Sequence, residues 1–216
     1  MSRYMRCAKD PWSSVTHLMG ALFFLAGTAI LVCSSLLQGL GWMLTLAVLV
    51  FGLSLVCLYS ASAVYHYINS TARVNLILRK LDHSMIYVLI AGSYTPVLIC
   101  YYPAQARNWM LAAIWLIALC GIGVKLLWFG APRWLYTGFY LTMGWFVLVD
   151  IRPLGNLPGG ALALLAGGGM AYTIGGLIYG LKRPMLTSRF GFHELFHIFV
   201  LLGSLLHYLM VLIYVL

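Results

Sequence analysis

Apolar residues fall in long runs along this chain, and the polar residues collect between them. Seven runs approach the ~20 residues a helix needs to cross a bilayer: 15–37, 42–66, 82–102, 109–129, 134–151, 159–180 and 193–216. Lipid offers no partners to the backbone, so each run is expected to close its own hydrogen bonds as a helix. Glycine and proline punctuate the junctions: Gly39 and Gly41, Pro103, Gly130 and Pro132, Pro153 with Gly155, Pro158 to Gly160, and Pro184. The pattern predicts an all-α integral membrane protein of seven transmembrane helices, forming one domain over residues 1–216. The fifth run is the shortest. The sixth carries Gly167-Gly168-Gly169, Gly175-Gly176 and Gly180, which predicts close helix packing within the bundle.

Composition agrees with that class. Hydrophobic residues make up 63% of the 216, and charged residues 8%, against about 25% charged in ordinary soluble domains. The formal charge of +9 therefore reads as membrane topology and not as nucleic-acid binding. With seven spans, Arg3, Arg6, Lys9, Arg73, Arg79, Lys80, Lys125, Arg133, Lys182, Arg183 and Arg189 share one side, and Arg107 and Arg152 the other. A split of 11 against 2 predicts a cytoplasmic N-terminus, an outer C-terminus and a multi-pass protein of the inner (plasma) membrane. The first run is long enough to span and no small-residue cleavage site follows it, so no cleavable signal peptide is expected. Cys7, Cys33, Cys57, Cys100 and Cys120 are scattered without a C-x-x-C pair. Neither a disulfide framework nor a cysteine metal site is expected.

The informative residues are the polar ones at the ends of apolar runs. His193 and His197 open the seventh run. Four residues apart on a helix, they are only ~40° apart around its axis. They read either as half of a metal site or as two interfacial histidines bonded to headgroups or water. The second run ends Ser62-Ala63-Val64-Tyr65-His66, and the third opens Leu81-Asp82-His83. By the predicted topology all these groups lie at one depth near the cytoplasmic face. Three neutral histidines, His66, His193 and His197, suit zinc and leave a fourth position open for a water, the arrangement of catalytic rather than structural sites. Asp82 then reads as a general base or an orienting group, or else as a helix cap at headgroup level. The Ser62 hydroxyl can hold a histidine or the water, or donate to a developing oxyanion.

The remaining polar residues divide by position. His17 falls in the same layer, as a pocket residue or an interfacial one. His83 points ~100° away from Asp82 and is expected to orient or to lie at the surface. His207, ten residues or ~15 Å beyond His197, is expected to bond a neighbouring helix. Asp150 and Arg152 are expected to meet solvent at the outer end. His193-Glu194-x-x-His197 also matches H-E-x-x-H, where the glutamate is the base of a metalloprotease. That reading requires a carboxylate third ligand on a later or separate helix, and none is evident after the seventh run.

Taken together, Ser62-x-x-x-His66, Leu81-Asp82-His83 running into Ile90-Ala91-Gly92-Ser93-Tyr94-Thr95-Pro96, and His193-x-x-x-His197 resemble the haemolysin III family. That family is the bacterial branch of the progestin and adipoQ receptor (PAQR) membrane proteins. Thr16-His17, Met143-Gly144-Trp145 and Gly175-Gly176 also fit, and the resemblance covers nearly the whole chain. It implies seven helices and a Zn2+ ion held by His66, His193 and His197, with Asp82 and Ser62 around its water. It also implies similarity to membrane hydrolases such as the alkaline ceramidases. The function expected on these grounds is zinc-dependent hydrolysis of lipid amide or ester bonds in membrane lipid homeostasis, with membrane lipids as substrate or ligand. The alternatives are a non-catalytic sensor or receptor with structural zinc, and a cytolytic pore. The chain can act alone or as a homo-oligomer.

Overall fold

The structure, a computed structural model, describes every residue except 1, 2, 129, 186, 188 and 189. Arg189 of the basic set, and the side chains of Arg3 and Arg6, lie outside what is described. A short helix α1 (Arg3–Cys7) precedes α2 (Pro11–Leu37), α3 (Trp42–Tyr67), α4 (Ala72–Tyr101), α5 (Ala104–Leu127), α6 (Arg133–Gly144), α7 (Gly159–Leu181) and α8 (Phe192–Tyr214). No strand occurs among the described residues. Six of these helices, α2 to α5, α7 and α8, are long and apolar enough to cross a membrane.

Local chemistry sets the helix limits. Pro11 occupies the first turn of α2, where its missing N–H costs nothing. Gly39 and Gly41, at φ of 66° and 81°, turn the chain from α2 into α3 through backbone angles that other residues resist. The α4 helix begins ten residues before the apolar run that predicted it, because Thr71 caps it by accepting from the Val74 N–H at 3.4 Å.

The expected fifth span does not form one helix. The α6 helix stops at Gly144, and two 3-10 turns follow, Phe146–Asp150 and Arg152–Asn156. The Tyr94 hydroxyl enters the backbone ladder at the break. It donates to the Gly144 carbonyl at 2.6 Å and accepts from the Val147 N–H at 3.0 Å. A side chain inserted in this way ends regular winding.

The core lies where α2, α3 and α4 meet, with Phe24, Leu31, Val48, Phe51, Leu55 and Leu98 buried. Large apolar side chains such as Leu25, Leu37, Leu116 and Leu127 point outward, as lipid-facing surfaces require. The α7 glycines divide their work between two neighbours. A Cβ on Gly168 would collide with His207 on α8, and one on Gly176 would press Leu141 on α6 at 3.0 Å.

One end of the bundle gathers the C-terminus of α3 and the N-termini of α4 and α8. At the other end the Tyr101 hydroxyl donates to the Tyr214 carbonyl, and Tyr102 to the Asp150 carbonyl at 2.8 Å. Asp150 corrects the expectation of solvent exposure. Its carboxylate is covered and takes Nε and Nη2 of the exposed Arg152 at 2.8 and 3.1 Å.

Candidate metal centre

His66 reaches the site from the last turn of α3, while His193 and His197 come from the first two turns of α8. One nitrogen from each lies within 4.8 Å of the others. His66 and His197 are each 2% exposed. The Nε2 atoms of His66 and His193 are 3.2 Å apart. Two nitrogens on a tetrahedral zinc, each at ~2.0–2.1 Å, would stand about 3.3 Å apart, so this separation suits two ligands of one ion. Nδ1 of the buried His197 makes no hydrogen bond of good geometry, although the Ser13 backbone lies within reach of the ring. A buried imidazole nitrogen left open in this way needs a cation, a water or a ligand. The donor set therefore fits a metal ion.

Asp10 explains how His66 is held, and sequence reasoning missed it. Standing before Pro11, Asp10 occupies the N-cap position of α2 but makes no side-chain cap. Its carboxylate Oδ2 instead meets Nδ1 of His66 at 2.9 Å. With Nδ1–H engaged by a carboxylate, Nε2 is left as the metal-facing atom, the arrangement by which an outer partner fixes the tautomer of a ligand histidine. Backbone bonds across the end of α3 hold Asp10 there. Its N–H donates to the His66 carbonyl at 2.9 Å, and the Lys9 N–H to the Tyr67 carbonyl at 3.2 Å. Lys9 Nζ lies 3.6 Å from the same carboxylate and donates to the Tyr65 carbonyl at 3.1 Å. Partial burial pushes the Asp10 carboxyl up. The bond to His66 and the charges of His66, Lys9 and His193 outweigh it and hold the group below the usual carboxylate range. No residue spacing signals a pairing across 56 positions; the only hint was an aspartate at a helix start that turned out not to cap.

His17 on α2 stacks on His197, with ring centroids 3.7 Å apart and planes 14° from parallel. It is buried, and neither of its ring nitrogens has a partner. Of its two expected roles the structure gives it the pocket position. Glu194 is engaged at the start of α8. Its carboxylate accepts from the Gly191 N–H at 2.8 Å and from the Ser13 hydroxyl at 3.3 Å, closing the start of α8 and tying it to α2.

Ser62 and Asp82 are buried on α3 and α4, and the Ser62 hydroxyl and His66 are near enough to act on the Asp82 carboxylate. His83 Nε2 stands 3.9 Å from Asp82 Oδ2, and the His83 carbonyl accepts from the Tyr140 hydroxyl at 3.1 Å. Asp82, Ser62, His17, His193 and His197 line one cavity of about 630 Å³. It continues between α4, the α6 segment, α7 and α8 towards Tyr102 and Leu154 at the far end. His207 is the helix-bonding histidine expected from sequence, with Nε2 3.2 Å from the Leu165 carbonyl.

A family profile described as haemolysin-III related matches residues 5–208. Hemolysin-3 of Bacillus cereus is 34% identical over 220 residues, covering 100% of this chain and 96% of that protein. The Hemolysin-3 homolog of Bacillus subtilis (strain 168) is 33% identical over 203 residues, covering 94% and 92%. The human monocyte to macrophage differentiation factor is 27% identical over 163 residues, covering 74% of this chain and 66% of that protein.

Proposed function

The chain belongs to the haemolysin-III-related family, and we propose that this multi-pass plasma-membrane protein is a zinc-dependent hydrolase of lipid ester or amide bonds. One observation carries the reading: three histidines converge, and two of them, His193 and His197, line a cavity of about 630 Å³ together with a buried carboxylate and a buried hydroxyl. Pockets that enclose small molecules run ~300–1,000 Å³.

His66, His193 and His197 would hold the zinc. A bound zinc supplies Lewis acidity, polarising a carbonyl and making a water acidic enough to attack near neutral pH. Asp82 accepts the proton of the attacking water and returns it to the nitrogen or oxygen that leaves as the acyl bond breaks. The single Ser62 O–H donates to the Asp82 carboxylate and so orients the base. Asp10 keeps His66 in the ligating tautomer. The apolar slot along α4 takes an acyl chain and keeps bulk water out.

The whole of 1–216 acts as one domain with its site at the cytoplasmic face. Lys9, Arg73, Arg79, Lys80, Lys125, Arg133, Lys182 and Arg183 fall at the metal-centre end, whereas Arg107 and Arg152 fall at the other, which supports that orientation. A seventh crossing is made by α6 and the 3-10 turns together. Tyr140 pairs with His83, Gly144 and Val147 with Tyr94, and Asp150 with Tyr102, so the segment follows α4 from one end to the other.

The test is turnover of ceramide, phospholipid and acyl-ester substrates by zinc-loaded protein in lipid discs, wild type against Asp82→Asn. Hydrolysis by the wild type, lost in a variant that still holds zinc, is the expected result. No turnover of any class by zinc-loaded wild type would sink the hydrolase reading and leave zinc a structural pin between α3 and α8.

A further inference from the structure

Charge bookkeeping singles out one end of the cavity. The chain has 4 carboxylates against 13 lysines and arginines. Three of the carboxylates are engaged elsewhere: Asp10 at His66, Glu194 at the Gly191 N–H, and Asp150 at Arg152. Asp82 alone lines the cavity, together with three cations, Arg79, Lys125 and Arg133. Three positive groups against one negative leave an excess of two. Lys125 lies within electrostatic reach of Arg79, Asp82 and Arg133, so the four belong to one cluster.

Two of the cations rest on aromatic faces. Lys125 is 2% exposed, and its ammonium lies 3.5 Å over the Tyr136 ring. The Arg133 guanidinium lies 4.5 Å over Tyr179 and 5.6 Å over Phe192, and donates to the Tyr179 carbonyl at 3.4 Å. Aromatic faces and carbonyls fix a cation while leaving it able to attract an anion. Lys125 is buried and Arg133 half-buried, and a cation held at such a position is favoured by an anionic ligand beside it. Two guanidiniums and an ammonium on the lining of one cavity suit the oxygens of a phosphate. Beyond them the lining turns apolar through Ile86, Leu89, Ile90, Val97 and Leu98. Asp82 to Tyr102 on α4 covers ~30 Å, the thickness of a bilayer's hydrocarbon core.

We propose that the cavity binds a phosphate-bearing anionic lipid, with its phosphate among Arg79, Lys125 and Arg133 and an acyl chain along α4. This names the lipid class for the hydrolase reading and rests on it for the substrate role; the binding itself requires neither zinc nor turnover.

The experiment measures binding to the purified full chain in neutral-detergent micelles. The probes are lysophosphatidylglycerol, a monoacylglycerol and a fatty acid of the same acyl chain, and inorganic phosphate. Wild type is expected to prefer lysophosphatidylglycerol over monoacylglycerol by roughly tenfold or more, with inorganic phosphate a weak competitor. In Arg79→Gln/Arg133→Gln that preference should fall to about threefold or less. Arg79→Gln alone, at an exposed position, should weaken it part of the way and keeps the test open if the double variant does not fold. Wild type stripped of metal with a chelator should bind as the zinc-loaded protein does, which separates this proposal from the fate of the hydrolase. Equal binding of the two glycerolipids, an unchanged preference in the folded arginine variants, a fatty acid matching the phospholipid, or inorganic phosphate competing as tightly as the lipid would each overturn it.

Discussion

His197 and His207 stand on the same helix ten residues apart, and their surroundings are opposite. His207 fills the notch at Gly168, packs edge-on to Tyr172 at 5.4 Å, and has its Nε2 closed by the Leu165 carbonyl at 3.2 Å. His197 is stacked on one imidazole and faces two more, with Nδ1 open. Both are histidines in an apolar helix, yet one is satisfied by the fold alone and the other is not. The difference teaches that a histidine in a membrane helix is read from its company. Where a neighbouring carbonyl is available, the ring is polar glue between helices. Where other imidazoles converge, the group is one that could hold an ion.

Variants sharpen the contrast. The largest effect is expected from Asp82→Asn, which should lower hydrolysis by ~10²–10⁴-fold, the range for loss of a general base, while zinc content by elemental analysis stays at the wild-type level. Loss of zinc in this variant would show that the carboxylate builds the site and does not act in the reaction. Next comes Asp10→Ala, which frees Nδ1 of His66. Zinc affinity, measured by chelator competition, should drop about 10–100-fold. An unchanged affinity would mean that His66 is oriented by its helix alone.

Changes around His207 should move stability and leave the metal untouched. Gly168→Ala forces a methyl against the His207 ring and should cost ~1–3 kcal/mol, read as a lower unfolding midpoint with zinc retained. His207→Leu should be milder, about 0.6 kcal/mol, the average for a hydrogen bond between membrane helices. A drop in zinc content in either variant would break the distinction between the two histidines.

Six helices and the three converging histidines were legible in the sequence for the same reason. Long apolar runs have few ways to satisfy their backbone, and His66, His193 and His197 sit at run ends that the topology brings to one layer. The break in the fifth run was not legible, because it depends on Tyr94, some fifty positions away, reaching Gly144 and Val147. The early start of α4 was hidden by Arg73, Asn75, Arg79 and Lys80, which read as loop by hydropathy but continue a helix capped at Thr71. Asp10 was hidden in another way. Its local signal was that of a helix cap, and a contact across the bundle overrode it. Short-range pattern thus located the ligand candidates, whereas the groups that orient them and bend the neighbouring helix came from contacts no period encodes.

The most direct test of the central claim is zinc per chain, measured by elemental analysis on purified wild type, His197→Ala and His207→Ala. The account predicts about one zinc in wild type and in His207→Ala, and well under one in His197→Ala, as a site with an open position and three protein ligands requires. A folded wild type that neither contains nor takes up zinc, or a His197→Ala protein that keeps it, would contradict the account.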